Sequence, residues 1–224
     1  MPPSQAKSAR AAQVVSILRQ TYPDARCSLN FTTPLEILVA TILAAQCTDE
    51  RVNATTVNLF KKYHTAADYA NVPVEELEVD IKSTGFYRNK AKSIQGMARM
   101  LLADYGGEVP EAMPDLLRLP GVARKTANVV QGNAFHHVEG VVVDTHVTRL
   151  SRRLGFTTAD DPPKIERDMM ELLPHSDWFD FSNLLIYHGR AICKAPTPLC
   201  PGCPLLDLCP AGRERTSQPP LPAE

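Results

Sequence analysis

Leu119-Pro120-Gly121-Val122-Ala123-Arg124-Lys125 is the stretch on which the fold turns. Leu116 and Leu117 lead into it, and a helical run from Arg124 to Phe135 follows. Proline fixes φ and glycine accepts positive φ, so the pair forces a tight turn between two helices. The backbone N–H groups that open the second helix then face outward, and such a nest binds a phosphate without reading base sequence. A plain helix–helix connector has the same local pattern, so the turn gains meaning only from what stands beside it.

Lys125 stands beside it. It falls in the first turn of the second helix, where the positive end of the helix dipole and the neighbouring Arg124 disfavour an ammonium charge. A lysine so placed is easier to hold as a neutral amine, the state a nucleophile needs. A solvated surface lysine is the plain alternative. Further along, Val141-Val142-Val143-Asp144-Thr145-His146 sets a carboxylate directly after an apolar run. Asp144 suits the cap of a helix starting at Thr145. At an active-site mouth the same carboxylate would take a proton or stabilise a cationic sugar. Lys125 and Asp144 thus form a candidate amine-and-carboxylate pair, with His146 as a structural or phosphate-facing residue.

Outward from these motifs the pattern is helical. Val14, Val15 and Leu18 make a stripe over 9–20 that stops at Tyr22-Pro23. Thr33-Pro34-Leu35-Glu36 reads as a capping box with proline at the first helical position, opening an apolar helix to about Gln46. Further helices are expected around Val52–Tyr63, over Val74–Thr84 with Gly85 as the stop, and from Ile94 to Tyr105 before Gly106-Gly107. Others cover 145–154, 163–173 and 178–192. Val141–Val143 could make a strand, but no second alternating run exists to pair with it. The fold class is therefore all-α.

Composition bounds the rest. The chain has 224 residues, 44% of them apolar and 22% charged, enough for one large domain or two small ones with a real core. A formal net charge of −1 announces no nucleic-acid partner, so any DNA-binding face must be local. Cations gather at Arg88, Lys90 and Lys92, at Arg149, Arg152 and Arg153, and at Arg190 and Lys194. They are solvated helix faces or the walls of a phosphate-tracking groove. No run reaches the roughly 18 apolar residues of a membrane span, and Met1–Arg10 lacks an apolar signal core. The expected setting is soluble and intracellular.

Cys193, Cys200, Cys203 and Cys209 are separated by six, two and five residues in a proline-rich tail. Four thiolates in a loop without regular structure could converge on a metal centre, whose ligation would supply folding energy. An iron–sulfur cluster accepts this uneven spacing best. Zinc, which prefers paired short knuckles, comes second, and disulfides, disfavoured in a reducing compartment, come third. Cys27 and Cys47 read as core or wall residues. Gln46, before Cys47-Thr48-Asp49, is a helix-end cap or a long amide able to fill the gap left by an extruded base.

LPGVARKTANVV, VDTHV, LAAQCTD, GFYRNKA and the Cys-x₆-Cys-x₂-Cys-x₅-Cys tail, which occur in the family's order and span roughly residues 30–209, resemble the endonuclease III family of DNA glycosylases. The resemblance implies two helical domains with the active site in the cleft between them. One, at 28–138, is a six-helix barrel with a helix–hairpin–helix. The other, at 1–27 and 139–224, holds a 4Fe–4S cluster on Cys193, Cys200, Cys203 and Cys209, with a disordered tail after about 213. It also implies a bifunctional glycosylase and AP lyase acting on oxidised pyrimidines in double-stranded DNA, monomeric and associated with the nucleoid in the cytoplasm. Lys125 would be its nucleophile and Asp144 its essential aspartate. Gln46 would enter the space of the flipped base, and Phe86 would wedge the opposite strand. Leu119, Gly121, Ala123, Arg124, His146, Arg149 and Lys194 are the other expected DNA contacts, with Lys194 presented by the cluster loop. Ala123 departs from the family, which usually has glycine there, and its methyl is expected to crowd the phosphate or restrict the backbone.

Adenine-specific mismatch glycosylases share that fold and cluster. They generally lack the lysine and use a glutamate where this chain has Ala40-Thr41-Ile42-Leu43. A non-catalytic DNA-binding module is disfavoured by the Lys125–Asp144 pair. An electron-transfer protein is disfavoured by the absence of a second redox motif.

Overall fold

The computed structural model describes residues 4–217, which form helices joined by short turns, with no strand among them. The α-helices are α1 (Gln5–Thr21), α2 (Pro34–Leu43), α3 (Asp49–Lys62), α4 (Ala66–Asn71), α5 (Val74–Asp80), α6 (Tyr87–Asp104), α7 (Met113–Leu116), α8 (Arg124–Val130), α9 (Thr145–Arg153), α10 (Pro162–Leu172), α11 (Trp178–Ala191) and α12 (Pro210–Ser217). The chain divides into two compact units. One is Cys27–Glu139, and the other joins the segment ending at Arg26 to the segment starting at Gly140. No helix among the described residues is long and apolar enough to cross a membrane.

The Cys27–Glu139 unit is built around α2. Ile37, Leu38, Val39, Ala40, Ile42 and Leu43 are all buried, so this helix is apolar nearly all round and lies inside its unit. Each of its larger aliphatic side chains contributes about 1.5–3 kcal/mol by leaving water. It packs against α3, α6 and α8. Its start is held almost as expected: Thr33 Oγ1 accepts the Glu36 N–H at 3.2 Å. The Glu36 carboxylate, however, takes the backbone N–H and hydroxyl of Thr32 rather than the N–H of Thr33. A complete capping box, Thr65 with Asp68, opens the short α4 that sequence periodicity did not show. The expected helix over Val74–Thr84 breaks at Ile81 into α5 and a 3₁₀ turn, Lys82–Thr84. Helix α8 runs on through a π-helical turn, Gln131–Phe135.

The other unit packs α1 against α10 and α11, and α9 against α10, α11 and α12. Ala11, Val14, Val15 and Leu18 of α1 meet Ile165 and Met169 of α10 and Phe181, Leu184 and Leu185 of α11 in one core. Val141–Val143 has no regular secondary structure and pairs with no strand. Val141 and Val143 are buried, and the Val142 carbonyl accepts the Ser182 hydroxyl at 2.8 Å.

The expectation that this unit is an iron–sulfur domain is overturned. Among the described residues no group of three or more His, Cys, Asp or Glu side chains could hold a metal ion. What orders the proline-rich stretch is a set of guanidinium groups that satisfy its carbonyls. Arg153 Nη1 donates to the carbonyls of Cys193 at 3.4 Å and Lys194 at 2.9 Å, and its Nη2 to that of Pro196 at 3.4 Å. Arg10 Nη1 spans the carbonyls of Leu154 at 2.6 Å and Leu208 at 2.9 Å. A planar, rigid fork suits this work, because one side chain can satisfy several carbonyls that no helix or sheet provides for. The tail also contains regular structure: α12 occupies Pro210–Ser217, where disorder was expected after about 213. The remainder of that expectation, 218–224, lies outside the described residues.

Candidate active site and nucleic-acid interface

In the Cys27–Glu139 unit the turn at 119–125 is seated on α6. Gly121 has φ +80° and lies so close to α6 that a Cβ there would stand 2.8 Å from the Cβ of Ser93. Both the left-handed backbone and the close approach require glycine. One turn further along α6, a Cβ on Gly96 would lie 3.3 Å from Pro120 Cγ. Leu119 and Val122 anchor the turn in the core, and the Val122 N–H closes it on the Leu119 carbonyl at 3.1 Å. Leu119 is only 2% exposed, so it can offer DNA its backbone but not its side chain.

Ala123 is the N-cap of α8, and no side chain caps this helix start. Its φ of −98° and ψ of 171° are extended backbone that any residue adopts. The alanine therefore imposes no restriction that a glycine would relieve, and its methyl is exposed. Arg124 and Lys125 follow, both exposed, in the first turn of α8.

Gln46 and Phe86 share an unusual backbone. Helix α2 stops at Leu43, earlier than expected, and a turn carries Gln46 to φ +53°. Phe86, the N-cap of α6, has φ +48° and ψ +26° and is 63% exposed. Left-handed conformations cost a non-glycine residue on the order of 1–3 kcal/mol and cluster where a side chain has a task. An aromatic ring so exposed, on so strained a backbone, is poorly explained by packing.

Lys90 departs from its expected place beside Arg88 and Lys92 on a solvated face. Those two are exposed, whereas Lys90 is 5% exposed. Its Nζ donates to the Leu43 carbonyl at 2.8 Å and to the Thr84 carbonyl at 2.8 Å. These are the last residues of α2 and of the Lys82–Thr84 turn, so the charge meets two helix C-terminal ends. Burial pushes its pKa below the ordinary lysine value, and Cys47 acts in the opposite direction. The signal was present in the sequence. Lys90, Ile94, Met97 and Leu101 follow a 4-3-4 spacing, and all four are buried on one face of α6.

In the other unit Asp144 is the N-cap of α9, and its Oδ1 accepts the Val147 N–H at 2.8 Å. Arg149 is partly buried and turned toward the end of α11. Its Nη2 donates to the Cys193 carbonyl at 3.0 Å and the Gly189 carbonyl at 3.3 Å, and it lies 3.1 Å from His146 Nδ1. Gly189 makes room for that pair, since a Cβ there would stand 2.6 Å from His146 Nδ1. His146 and Arg149 are thus brought together as a brace on α11, while Lys194 is exposed.

The four tail cysteines do not fit a 4Fe–4S cluster, zinc or a disulfide. They are free thiols, each half-buried, and among the described residues they form no metal-holding group. Protein groups engage three of the sulfurs individually. Arg153 Nη1 lies 3.2 Å from Cys193 Sγ, and His188 Nε2 lies 3.4 Å from Cys203 Sγ. Cys209 Sγ accepts the Gly212 N–H at 3.3 Å and donates to the Arg153 carbonyl at 3.4 Å. Burial raises the pKa of the Cys203 and Cys209 thiols, keeping them protonated.

Comparison with known proteins places these features in a family. Residues 39–175 match the family model of the HhH-GPD superfamily base excision DNA repair proteins. Endonuclease III of Synechocystis sp. is 56% identical over 207 residues, covering 92% of this chain and 94% of that protein. Endonuclease III of Bacillus subtilis is 50% identical over 195 residues, covering 87% and 89%. A solved structure of endonuclease III trapped in a covalent intermediate with DNA, an estranged-adenine complex, superposes with a TM-score of 0.88 at 47% identity. It covers 93% of this chain and 98% of that one.

Proposed function

This chain belongs to the endonuclease III family within the HhH-GPD superfamily of base excision DNA repair proteins, and from that premise we propose which of its residues do the work. It is a bifunctional DNA glycosylase and AP lyase acting through a Schiff base. The observation that carries the residue assignment is Lys125: an exposed amine in the first turn of α8, directly behind a turn seated rigidly on α6.

The 119–125 turn holds a backbone phosphate through the uncapped amides that open α8, with Arg124 adding charge. Gly121 and Ala123 let the strand approach closely, and Leu119 serves through its backbone. Phe86 enters the duplex as a wedge, and Gln46 fills the space of the extruded nucleotide. The preferred lesion is an oxidised pyrimidine, because loss of aromaticity weakens stacking and lowers the cost of extrusion. Lys194 adds a phosphate contact. His146 and Arg149 act mainly by fixing the end of α11 from which Lys194 follows.

The Lys125 amine attacks C1′ of the sugar as the C1′–N bond to the base breaks, and the base leaves with the electron pair and takes a proton from water. Asp144 uses Oδ1 for its cap, and Oδ2 takes the proton lost by the amine or stabilises the developing sugar cation. Opening of the sugar gives an imine, which acidifies the C2′ proton. Its removal expels the 3′ phosphate by β-elimination, and water releases the enzyme. The protein works as a monomer on the nucleoid, in the cytoplasm.

The test is single-turnover incubation with a duplex containing thymine glycol, following free base and strand scission separately. Lys125→Ala is expected to lose both, with DNA binding retained. Scission at the parental rate would remove Lys125 from its role.

A further inference from the structure

Three parts of the Cys27–Glu139 unit that face DNA in the proposed function all touch one helix. The 119–125 turn rests on Ser93 and Gly96 of α6, Phe86 caps that helix, and the Gln46 turn follows α2, whose last carbonyl is bound by Lys90 of α6. Lys90 is the one charged member of the buried face of α6. Its Nζ links α6 to the segments preceding both left-handed residues: Leu43 lies three residues before Gln46, and Thr84 two before Phe86.

The burial of this lysine calls for a reason. A core position on α6 would ordinarily take an aliphatic side chain, as Ile94, Met97 and Leu101 do. An aliphatic residue at 90 would leave the Leu43 and Thr84 carbonyls without the donor that now joins them. An ammonium on a four-carbon stem reaches both and sits where two helix C-terminal dipoles converge. It fixes the distance between two turns whose residues hold unfavourable backbone conformations.

We propose that Lys90 is a positioning residue for strand opening: by tying the Gln46 turn to the Phe86 turn it presents the wedge and the gap-filling amide to the duplex as one unit. The inference rests on the reading of Gln46 and Phe86 as inserting residues. Lys90 touches no DNA and takes no part in the chemistry at Lys125. Its effect is confined to substrates that must be opened.

The experiment compares two substrates under single-turnover conditions with enzyme in excess: a duplex containing thymine glycol, and a single strand containing a preformed abasic site. The first requires extrusion and the second does not. Lys90→Met keeps the length and apolar stem but removes the donors. It is expected to slow base release from the duplex on the order of tenfold to a hundredfold, while cleavage of the single strand changes less than about twofold. Equal losses on both substrates, or none on either, would overturn the proposal. Should Lys90→Met fail to fold, the same ratio is read on Lys90→Arg, which keeps the charge but not the tetrahedral donor geometry. Gln46→Ala and Phe86→Ala run alongside. If neither slows the duplex reaction, the inserting roles themselves fail, a result distinct from failure of the Lys90 link.

Discussion

The turn at 119–125 and the cysteine stretch at 193–209 are both short, irregular and dense in residues that carry chemistry, yet they are held in different ways. The first is held by its own backbone and by contact: a left-handed glycine against Ser93, a proline over Gly96, and Leu119 and Val122 in the core. The second is held from a distance, by guanidinium groups of Arg10, Arg149 and Arg153 that collect its carbonyls from 40 or more residues away in sequence. Local chemistry dictates the shape of one region. Long-range hydrogen bonding dictates that of the other, and spacing along the chain says little about where its side chains finally point.

The largest effect is expected from breaking the local device. Gly121→Ala adds a methyl against Ser93 and forces alanine to a positive φ, so it should cost about 2–4 kcal/mol of stability in denaturant titration. Ser93→Gly in the same chain should recover part of that loss, the part due to contact and not to φ. Full recovery would mean that backbone conformation contributes nothing. No loss at all would break the account of how the turn is held.

A smaller effect is expected from the remote device. Arg153→Ala removes donors to three carbonyls and the contact with Cys193 Sγ, and should cost about 1–3 kcal/mol. Hydrogen exchange should quicken across 193–199 while protection across 119–125 is unchanged. Equal acceleration in both regions would contradict their separate support.

The smallest effect is expected at Ala123. Its extended backbone needs no glycine, so Ala123→Gly should change stability by no more than about 0.5 kcal/mol and affinity for undamaged duplex by about twofold at most. A tenfold gain in affinity would show that the methyl obstructs the phosphate after all.

The same contrast explains what could be read from the sequence. The all-α class, the capped start of α2, the cap at Asp144 and the turn before Lys125 follow from periodicity, capping residues and a Pro-Gly pair, all of which act within a few positions. Helix α4 escaped because six residues show little periodicity, although Thr65 and Asp68 marked its start. Lys90 reads from the sequence as a solvated or groove-lining cation, because its charge outweighs its register with Ile94, Met97 and Leu101. The left-handed backbones of Gln46 and Phe86 were not legible, since neither is a residue type that turn chemistry demands. The cysteines misled in a different way: all four line one cavity, but among the described residues they form no metal-holding group, and Arg153, His188 and Gly212 engage three of the sulfurs. Arg149 likewise carried the charge expected of a phosphate contact, and the structure commits it to the Cys193 and Gly189 carbonyls.

The central claim is that the amine of Lys125 forms the covalent link to the sugar. Borohydride trapping tests it most directly: parent protein and Lys125→Ala are each mixed with thymine glycol duplex, reduced, and resolved on a denaturing gel. A covalent protein–DNA band with the parent and none with Lys125→Ala is the predicted result. A band of equal yield in both, or base release by the parent without any band, would contradict it.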